Sequence, residues 1–361
     1  MDENPIISVV MSVYNGEKYL KKAIDSVIRQ TFEEWELIVV NDCSSDNTAG
    51  ILKEYEHSDK RIKVITNEVN LKLPSSLNKA VLQSRGRYIA RMDADDICLS
   101  DRLEKQYNFM EENPDVAISS CKFMTLKNGS AASGGCGGKT DNESVKALLL
   151  VTNPVLHPGI IAKAEVIKKL KYDTSLTCTE DLELWTRAVR QNYKIEIMNE
   201  YLMLYRIHDK QITGTTLKKQ YEEVLKIQKK YFPEFFGTMS DKEAEFYIHG
   251  IYFREQININ QFRNFKNKLI SVVLKNGFCD KEAAEYAVFE ILAEYKRCKI
   301  TKKELVKGFL CFNPIFLIKE IFGRRKRACN DGLNCIKDAG NMGLIHSGGG
   351  IEFPSFSGAA E

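Results

Sequence analysis

Four short strand-like runs, the first three each followed by a polar turn and then a helical stretch, constrain this chain more than any other feature. Ile6–Val13 is β-branched and apolar nearly throughout, the pattern of a strand buried on both faces of a parallel sheet. Asn15-Gly16 breaks the run, and Tyr19, Leu20, Ala23, Ile24, Val27 and Ile28 then recur at helical spacing, with Asn15 available as N-cap. Trp35–Val40 makes a second strand. The cap-rich loop Asn41–Thr48 opens a second helix, which runs to about Tyr55. Arg61–Ile65 is a third strand, Pro74–Ser84 a third helix led by Pro and Ser, and Gly86–Ala90 a fourth strand. This β-α-β-α-β-α-β order requires a parallel sheet with helices on both faces. Ligands collect at the carboxyl ends of such strands, where Tyr14, Asp42 and Asp93–Asp96 all lie.

The fourth strand delivers three carboxylates together in Arg91-Met92-Asp93-Ala94-Asp95-Asp96. Crowded anions raise one another's pKa and are costly unless a cation or a ring of donors compensates them. A divalent metal does this economically, and oxygen-only ligands suit a hard ion such as Mg²⁺ or Mn²⁺. A solvated acidic turn is the plain alternative.

Farther on, Asp101–Glu112 is a helix, Val116–Cys121 a strand, and Asn128–Gly138 a Gly/Ser-rich linker read as a loop beside the site. Asp141–Val151 is a helix, a strand is expected around His157–Ala162, and helices follow at Ala164–Leu170 and Thr179–Val189. The last of these carries Glu180, Asp181 and Glu183 in its first turn, where acids simply complement the helix dipole. A final strand, Tyr201–Ile207, precedes a largely helical region to about Cys298, and the segment from Cys329 has no amphipathic pattern and reads as a disordered tail.

At 361 residues, 43% hydrophobic and 28% charged, the chain has room for one large α/β domain plus an appendage. Its ten cysteines form no Cys-x-x-Cys pair and no Cys/His group at zinc spacing, and the N-terminus carries no signal-peptide pattern, so reduced thiols and a cytoplasmic setting are expected. No run approaches the ~20 apolar residues of a membrane-spanning helix. The region from Lys296 to Arg327 holds eleven Lys/Arg against Glu304 and Glu320. Its apolar run Gly308–Ile318, followed by Gly323–Arg327, suits an anionic membrane surface. No nucleic-acid reader module is present.

Taken together, these pieces resemble the inverting family 2 nucleotide-sugar glycosyltransferases of the GT-A fold. The resemblance rests on Val9–Asn15, Ser26–Phe32, Leu37–Asp46, Asn70 with Leu77-Asn78, Asp93-Ala94-Asp95-Asp96 with Asp101-Arg102-Leu103, Glu180–Trp185 and Tyr205–His208. It covers about residues 5 to 215 and implies a Rossmann-like, mostly parallel sheet flanked by helices. The implied organisation is a catalytic domain over 1–215, with a nucleotide-sugar half to about 120 and an acceptor half over 121–215. A helical extension over 216–328 and the tail over 329–361 complete it.

The resemblance also implies roles. Ser12 and Tyr14 would line the nucleotide pocket, and Asp42 would bind the uracil or ribose. Asp95 would ligate Mn²⁺ or Mg²⁺ on the diphosphate, with Asp93 reaching the sugar, the ribose or the metal. Asp181 would be the catalytic base, and Glu180, His157, Arg206 and His208 would serve the acceptor or diphosphate side. Two positions depart from the family pattern. The loop acid pair is Asn41-Asp42, and the Gly common two residues after Asn70 is Lys72.

The implied activity is metal-dependent transfer from a nucleotide sugar, in this family a UDP-sugar, to a hydroxyl of a glycan or lipid-linked sugar in surface polysaccharide synthesis, on the inner face of the plasma membrane. Stabilising the departing diphosphate and activating the acceptor hydroxyl are what such a displacement requires. A sugar-phosphate nucleotidyltransferase would carry a Gly-rich phosphate loop after the first strand, whereas Tyr14–Lys18 holds one glycine. A non-catalytic nucleotide- or glycan-binding module is the other alternative.

Overall fold

The protein is described from a computed structural model covering residues 5–127, 130–133, 140–208, 217–253, 257–293, 302–317 and 320. The alternation forms as expected: β1 (Ile7–Val13), α1 (Leu20–Ile28), β2 (Trp35–Asn41), α2 (Thr48–Ser58), β3 (Ile62–Thr66), α3 (Lys72–Gln83) and β4 (Tyr88–Asp93). These four strands pair in parallel in the order β3-β2-β1-β4. Both faces of β1, β2 and β4 are buried, which is why their runs read as mostly apolar sequence, whereas the edge strand β3 leaves Lys63 and Thr66 exposed. Val9, Met11, Val13, Leu37 and Val39 pack with residues of α1 and α2, and Val10, Ile38 and Val40 pack on the opposite face with Leu77, Ala80 and Val81 of α3. Register then fixes the site. Ser12 lies beside Asp93, and Val13 beside Asn41, so Tyr14, Asp42 and the acids after Asp93 leave the sheet at one edge.

Beyond β4 the sheet is mixed. β5 (Ile97–Cys98) and α4 (Arg102–Glu112) lead to β6 (Val116–Lys127), which runs six residues past the expected strand and pairs with β7 (Ser130–Ser133). Part of the Gly/Ser-rich linker is therefore an antiparallel strand, and the Gly134–Gly138 part lies outside the described residues. After α5 (Asn142–Leu149), the segment His157–Gly159 is a 3₁₀ turn rather than strand, because Pro158 suits a helical first turn. Only Ile161–Lys163 is extended, as β8, which runs antiparallel between β4 and β6. α6 (Ala164–Leu170) and α7 (Glu180–Arg190) follow. β9 (Lys194–Arg206) begins seven residues before the expected strand, lies parallel to β6 and takes β5 on its far edge.

The expected cap of α1 is a second correction. Tyr19 holds the N-cap position without a side-chain bond, and Asn15 sits in the left-handed region at φ 53°. Asn15 Oδ1 instead accepts from the Ser45 N–H at 2.8 Å, while the Gly16 N–H donates to Thr48 Oγ1 and the Glu17 N–H to Asp46 Oδ2. The loops after β1 and β2 are thus laced together.

The helical region comprises α8 (Leu217–Tyr231), α9 (Pro233–Phe236), α10 (Asp241–Phe246), a π-helical turn (Tyr247–Tyr252), α11 (Ile259–Lys275), α12 (Lys281–Ala293) and α13 (Lys302–Phe309). Its aromatic interior, including Phe232, Phe236, Tyr247 and Phe262, is continuous with the core beneath α5 and α7. Among the described residues no helix is long and apolar enough to cross a membrane, and six cysteines are free thiols. Arg324–Arg327 and the tail from Cys329 lie outside the described residues.

Candidate active site

The end of β4 presents Asp93, Asp95 and Asp96 with ligand oxygens within 4.8 Å of one another. Arg91, two residues back and hence on the same strand face, is buried and grips Asp93 through both terminal nitrogens, Nη1 to Oδ2 at 2.5 Å and Nη2 to Oδ1. β9 closes over the other two acids. The Arg206 N–H donates to Asp96 Oδ1 at 2.8 Å, Arg206 Nε donates to the Asp95 carbonyl at 2.6 Å, and His208 Nε2 lies 2.9 Å from Asp95 Oδ2. Tyr19 lies against this closure, its ring 4.6 Å from the Arg206 guanidinium and 5.1 Å from the His208 ring.

Among the described residues, Asp96 Oδ2 is buried with no hydrogen-bond partner. Burial, followed by the charges of Asp93 and Asp95, holds the Asp96 carboxyl well above the ordinary carboxylate range. Asp93 is also raised, by burial first, with Asp95 and Asp181 adding to it and Arg91 opposing. Three oxygen-bearing groups with one unsatisfied buried oxygen fit a hard divalent ion, which would cancel the repulsion that burial exaggerates.

Asp181 faces this cluster from the first turn of α7, close enough for its charge to act on Asp93. Its own carboxylate is oriented by two donors, Asn153 Nδ2 to Oδ2 at 2.7 Å and the Leu182 N–H to Oδ1 at 2.7 Å. Burial raises its pKa. The adjacent Glu180 is 5% exposed, its Oε2 accepts no hydrogen bond, and burial together with Asp181 pushes its pKa to about 8. Burial and the neighbouring Asp181 charge both favour the protonated form of Glu180.

His157 is buried. Its Nε2 pairs with the Tyr172 hydroxyl at 2.9 Å, its ring meets the buried Trp185 edge-on, and Nδ1 stays 3.9 Å from Glu180. Burial, with Arg91 nearby, keeps the imidazole neutral well below its usual pKa.

At the nucleotide end, Ser12 is half-buried and Tyr14 is 54% exposed. Asp42 is buried and fully bonded. Oδ1 accepts from Asn67 Nδ2 at 2.7 Å and the Leu71 N–H at 2.8 Å, and Oδ2 from the Lys72 N–H at 2.9 Å. Lys72 occupies the left-handed region at φ 69°, so the loop keeps a glycine-like conformation without glycine.

Sequence reasoning passed over Arg91, Asn153 and Asn67. A charged residue inside an apolar strand, two positions before Asp93, was the signal for Arg91. Asn153 and Asn67 gave none, since each meets its partner only through the fold. Arg102, quoted above only within a motif, is buried and donates to the carbonyls of Arg91 at 2.8 Å and Ile160 at 3.2 Å, pinning the end of β4 to the turn that carries His157.

Residues 8–133 match the family model described as Glycosyl transferase family 2. An uncharacterised glycosyltransferase of Methanocaldococcus jannaschii is 39% identical over 221 residues, covering 60% of this chain and 76% of that protein. The chain is a family 2 glycosyltransferase. An O-antigen biosynthesis glycosyltransferase of Escherichia coli, WbnJ, is 34% identical over 218 residues, covering 59% of this chain and 84% of its own length. Among solved structures, residues 1–349 of Staphylococcus aureus TarS in complex with UDP-GlcNAc superpose with a TM-score of 0.53 at 18% identity, covering 84% of this glycosyltransferase and 89% of that fragment. The fold is GT-A, an α/β sheet flanked by helices.

Proposed function

We propose that this glycosyltransferase moves a sugar from a UDP-sugar to a hydroxyl of a lipid-linked glycan in surface polysaccharide synthesis, with inversion at the anomeric carbon and with a divalent ion, Mn²⁺ or Mg²⁺, on the diphosphate. One observation carries the reading. An acid cluster with an unsatisfied buried oxygen and an oriented carboxylate on another element, Asp181, share one electrostatic neighbourhood. Asp95 and Asp93 would hold the ion, and His208 is at hand beside Asp95. When bound, the ion supplies Lewis-acid stabilisation of the leaving diphosphate.

The chain's own residues do the rest. Arg91 fixes Asp93 in one orientation, and Arg206 closes over the diphosphate side. Asp181, aimed by Asn153 and the Leu182 N–H, takes the proton of the acceptor hydroxyl as it attacks the anomeric carbon from the face opposite the diphosphate. Glu180, with its pKa pushed to about 8, keeps its proton at neutral pH. Ser12 and Tyr14 would form the floor and exposed wall of the nucleotide pocket, with Asp42 setting the shape of the loop behind it.

The UDP preference draws on the donor in the TarS complex, and the polysaccharide role on the O-antigen relative. Placement on the inner face of the plasma membrane draws on Val306, Leu310 and Ile315, which are 57%, 75% and 77% exposed on and beside α13. Phe312 and Phe316 from the same apolar run are buried in the core and take no part. In domain terms we assign 1–215 to catalysis, with the donor half to about 120 and the acceptor half after it, and 216–328 to an extension that serves the acceptor's membrane.

The test is release of nucleoside diphosphate from UDP-, GDP- and dTDP-sugars with Mn²⁺ or with EDTA. Release from UDP-sugars alone, abolished by EDTA and by Asp95→Ala, is expected. Equal release with EDTA, or none from any donor, contradicts the proposal.

A further inference from the structure

The base-bearing helix α7 is held at its first residues by the C-terminal extension, and we infer that Glu223 of α8 is a positioning residue for Asp181, an inference that rests on Asp181 being the base. Thr179 occupies the N-cap position of α7, yet its side chain caps nothing in that helix. A threonine there ordinarily accepts from a free amide of the first turn. Here its hydroxyl donates outward to Glu223 Oε2 at 2.7 Å, and the Cys178 thiol donates to the same oxygen at 3.4 Å.

Glu223 is 7% exposed, and Lys219 lies 3.8 Å from its other oxygen. A buried carboxylate is costly unless donors compensate it, and both short contacts come from the two residues that open α7. The same helix grips α7 one turn farther on, where the Tyr231 hydroxyl donates to Glu183 Oε1 and Lys230 lies 3.8 Å from that oxygen.

A third contact ties α8 to the segment that leads to Asn153. Gln228 Nε2 of α8 donates to the Leu149 carbonyl at 2.8 Å, at the end of α5 and four residues before Asn153, which bonds the Asp181 carboxylate. The two groups that aim Asp181, the first turn of α7 and Asn153, are therefore both tethered to α8. Reaction requires the base and acceptor within a narrow distance range, and a displacement of about 1 Å can cost ~10²-fold in rate. Glu223 acts on the rate through that distance and touches neither donor nor acceptor.

The test compares Glu223→Ala, Thr179→Val, Thr179→Ser and the double variant Glu223→Ala/Thr179→Val. It follows Mn²⁺-dependent release of UDP from UDP-GlcNAc and UDP-glucose, and amide hydrogen exchange over residues 180–183. Glu223→Ala and Thr179→Val are each expected to lower kcat by roughly 10–100-fold, with donor KM within about 2-fold and faster exchange confined to the start of α7. Thr179→Ser, which keeps the hydroxyl, is expected to match wild type, and the double variant to be no slower than the worse single one. In an Asp181→Asn background, Glu223→Ala is expected to add nothing. Wild-type exchange over 180–183 in both single variants overturns the inference, as does the same rate loss recurring in the Asp181→Asn background. If Asp181→Asn itself turns over normally, the base assignment falls, whereas the exchange result still judges the grip of α8.

Discussion

Asp42 and Asp96 stand at the same edge of one sheet, both buried, and they have opposite hydrogen-bond states. Asp42 accepts three donors from the 67–72 loop and needs nothing more. Asp96 accepts one backbone N–H through Oδ1 and leaves Oδ2 with no partner, beside two further acids. A satisfied carboxylate shapes the chain around it, whereas an unsatisfied one in an anionic cluster is stable only when something else supplies the missing charge. On the proposed reading, the contrast gives Asp42 a part in shaping the loop and gives residues 93–96 the ligand, although the family pattern marks both as donor contacts.

The largest effects should separate chemistry from scaffolding. Asp95→Ala is expected to abolish turnover together with its metal dependence. Asp181→Asn is expected to reduce turnover by ~10²–10⁴-fold, the usual worth of a positioned base, while leaving donor binding near wild type by calorimetric titration. Because burial raises the Asp181 pKa and the base must be ionised, kcat should fall on acidification along a limb lying above the ordinary carboxylate range. A limb at the usual value would indicate a solvated base.

Next in size is Asp42→Ala. It strands the amides of Leu71 and Lys72 and the Asn67 side chain, at ~1–3 kcal/mol for each donor that stays buried. Chemical denaturation should show a stability loss of about 3 kcal/mol, with any catalytic defect confined to donor KM. Asp96→Asn, by contrast, should raise the melting temperature of the metal-free protein, because it removes an ionisable carboxyl from a crowded acidic site. A drop of similar size in both variants would erase the contrast.

Smaller still is a pH effect from Glu180. Its folded pKa of about 8 lies above the ordinary 4.5, so the folded state binds more protons between those values. The stabilisation it gives is fully present below pH 4.5 and is lost as pH rises through about 8. Glu180→Gln should flatten the decline in melting temperature over that window and raise it at pH 8 by ~2–4 °C for each kcal/mol regained. The smallest effect is expected from Lys72→Gly, which relieves the left-handed backbone at φ 69° and should change stability by no more than about 1 kcal/mol.

The parallel half of the fold was legible because its inner strands β1 and β2 are buried on both faces, which forces apolar runs, and its helices on one, which forces 3.6-residue periodicity. The acid cluster was legible for the same reason, since a strand ending at Asp93 must deliver Asp95 and Asp96 together. The mixed half was harder to read. β9 carries Lys194, Glu196, Asn199 and Glu200 among its apolar residues, and Ser130–Ser133 resembles a linker in composition, so pairing with β6 rather than local propensity makes both strands. His157 illustrates the limit on roles. Its chemistry suggested an acceptor contact, and only the packing of Tyr172 and Trp185 around it shows a buried, neutral ring.

The most direct measurement is Mn²⁺ uptake in the presence of UDP, followed by the loss of the free-ion electron paramagnetic resonance signal, for wild type, Asp95→Ala and Asp42→Asn. One ion bound by wild type and by Asp42→Asn, and none by Asp95→Ala at the same concentrations, is the predicted result. Undiminished uptake by Asp95→Ala, or uptake lost only in Asp42→Asn, would contradict the assignment of the ion to the end of β4.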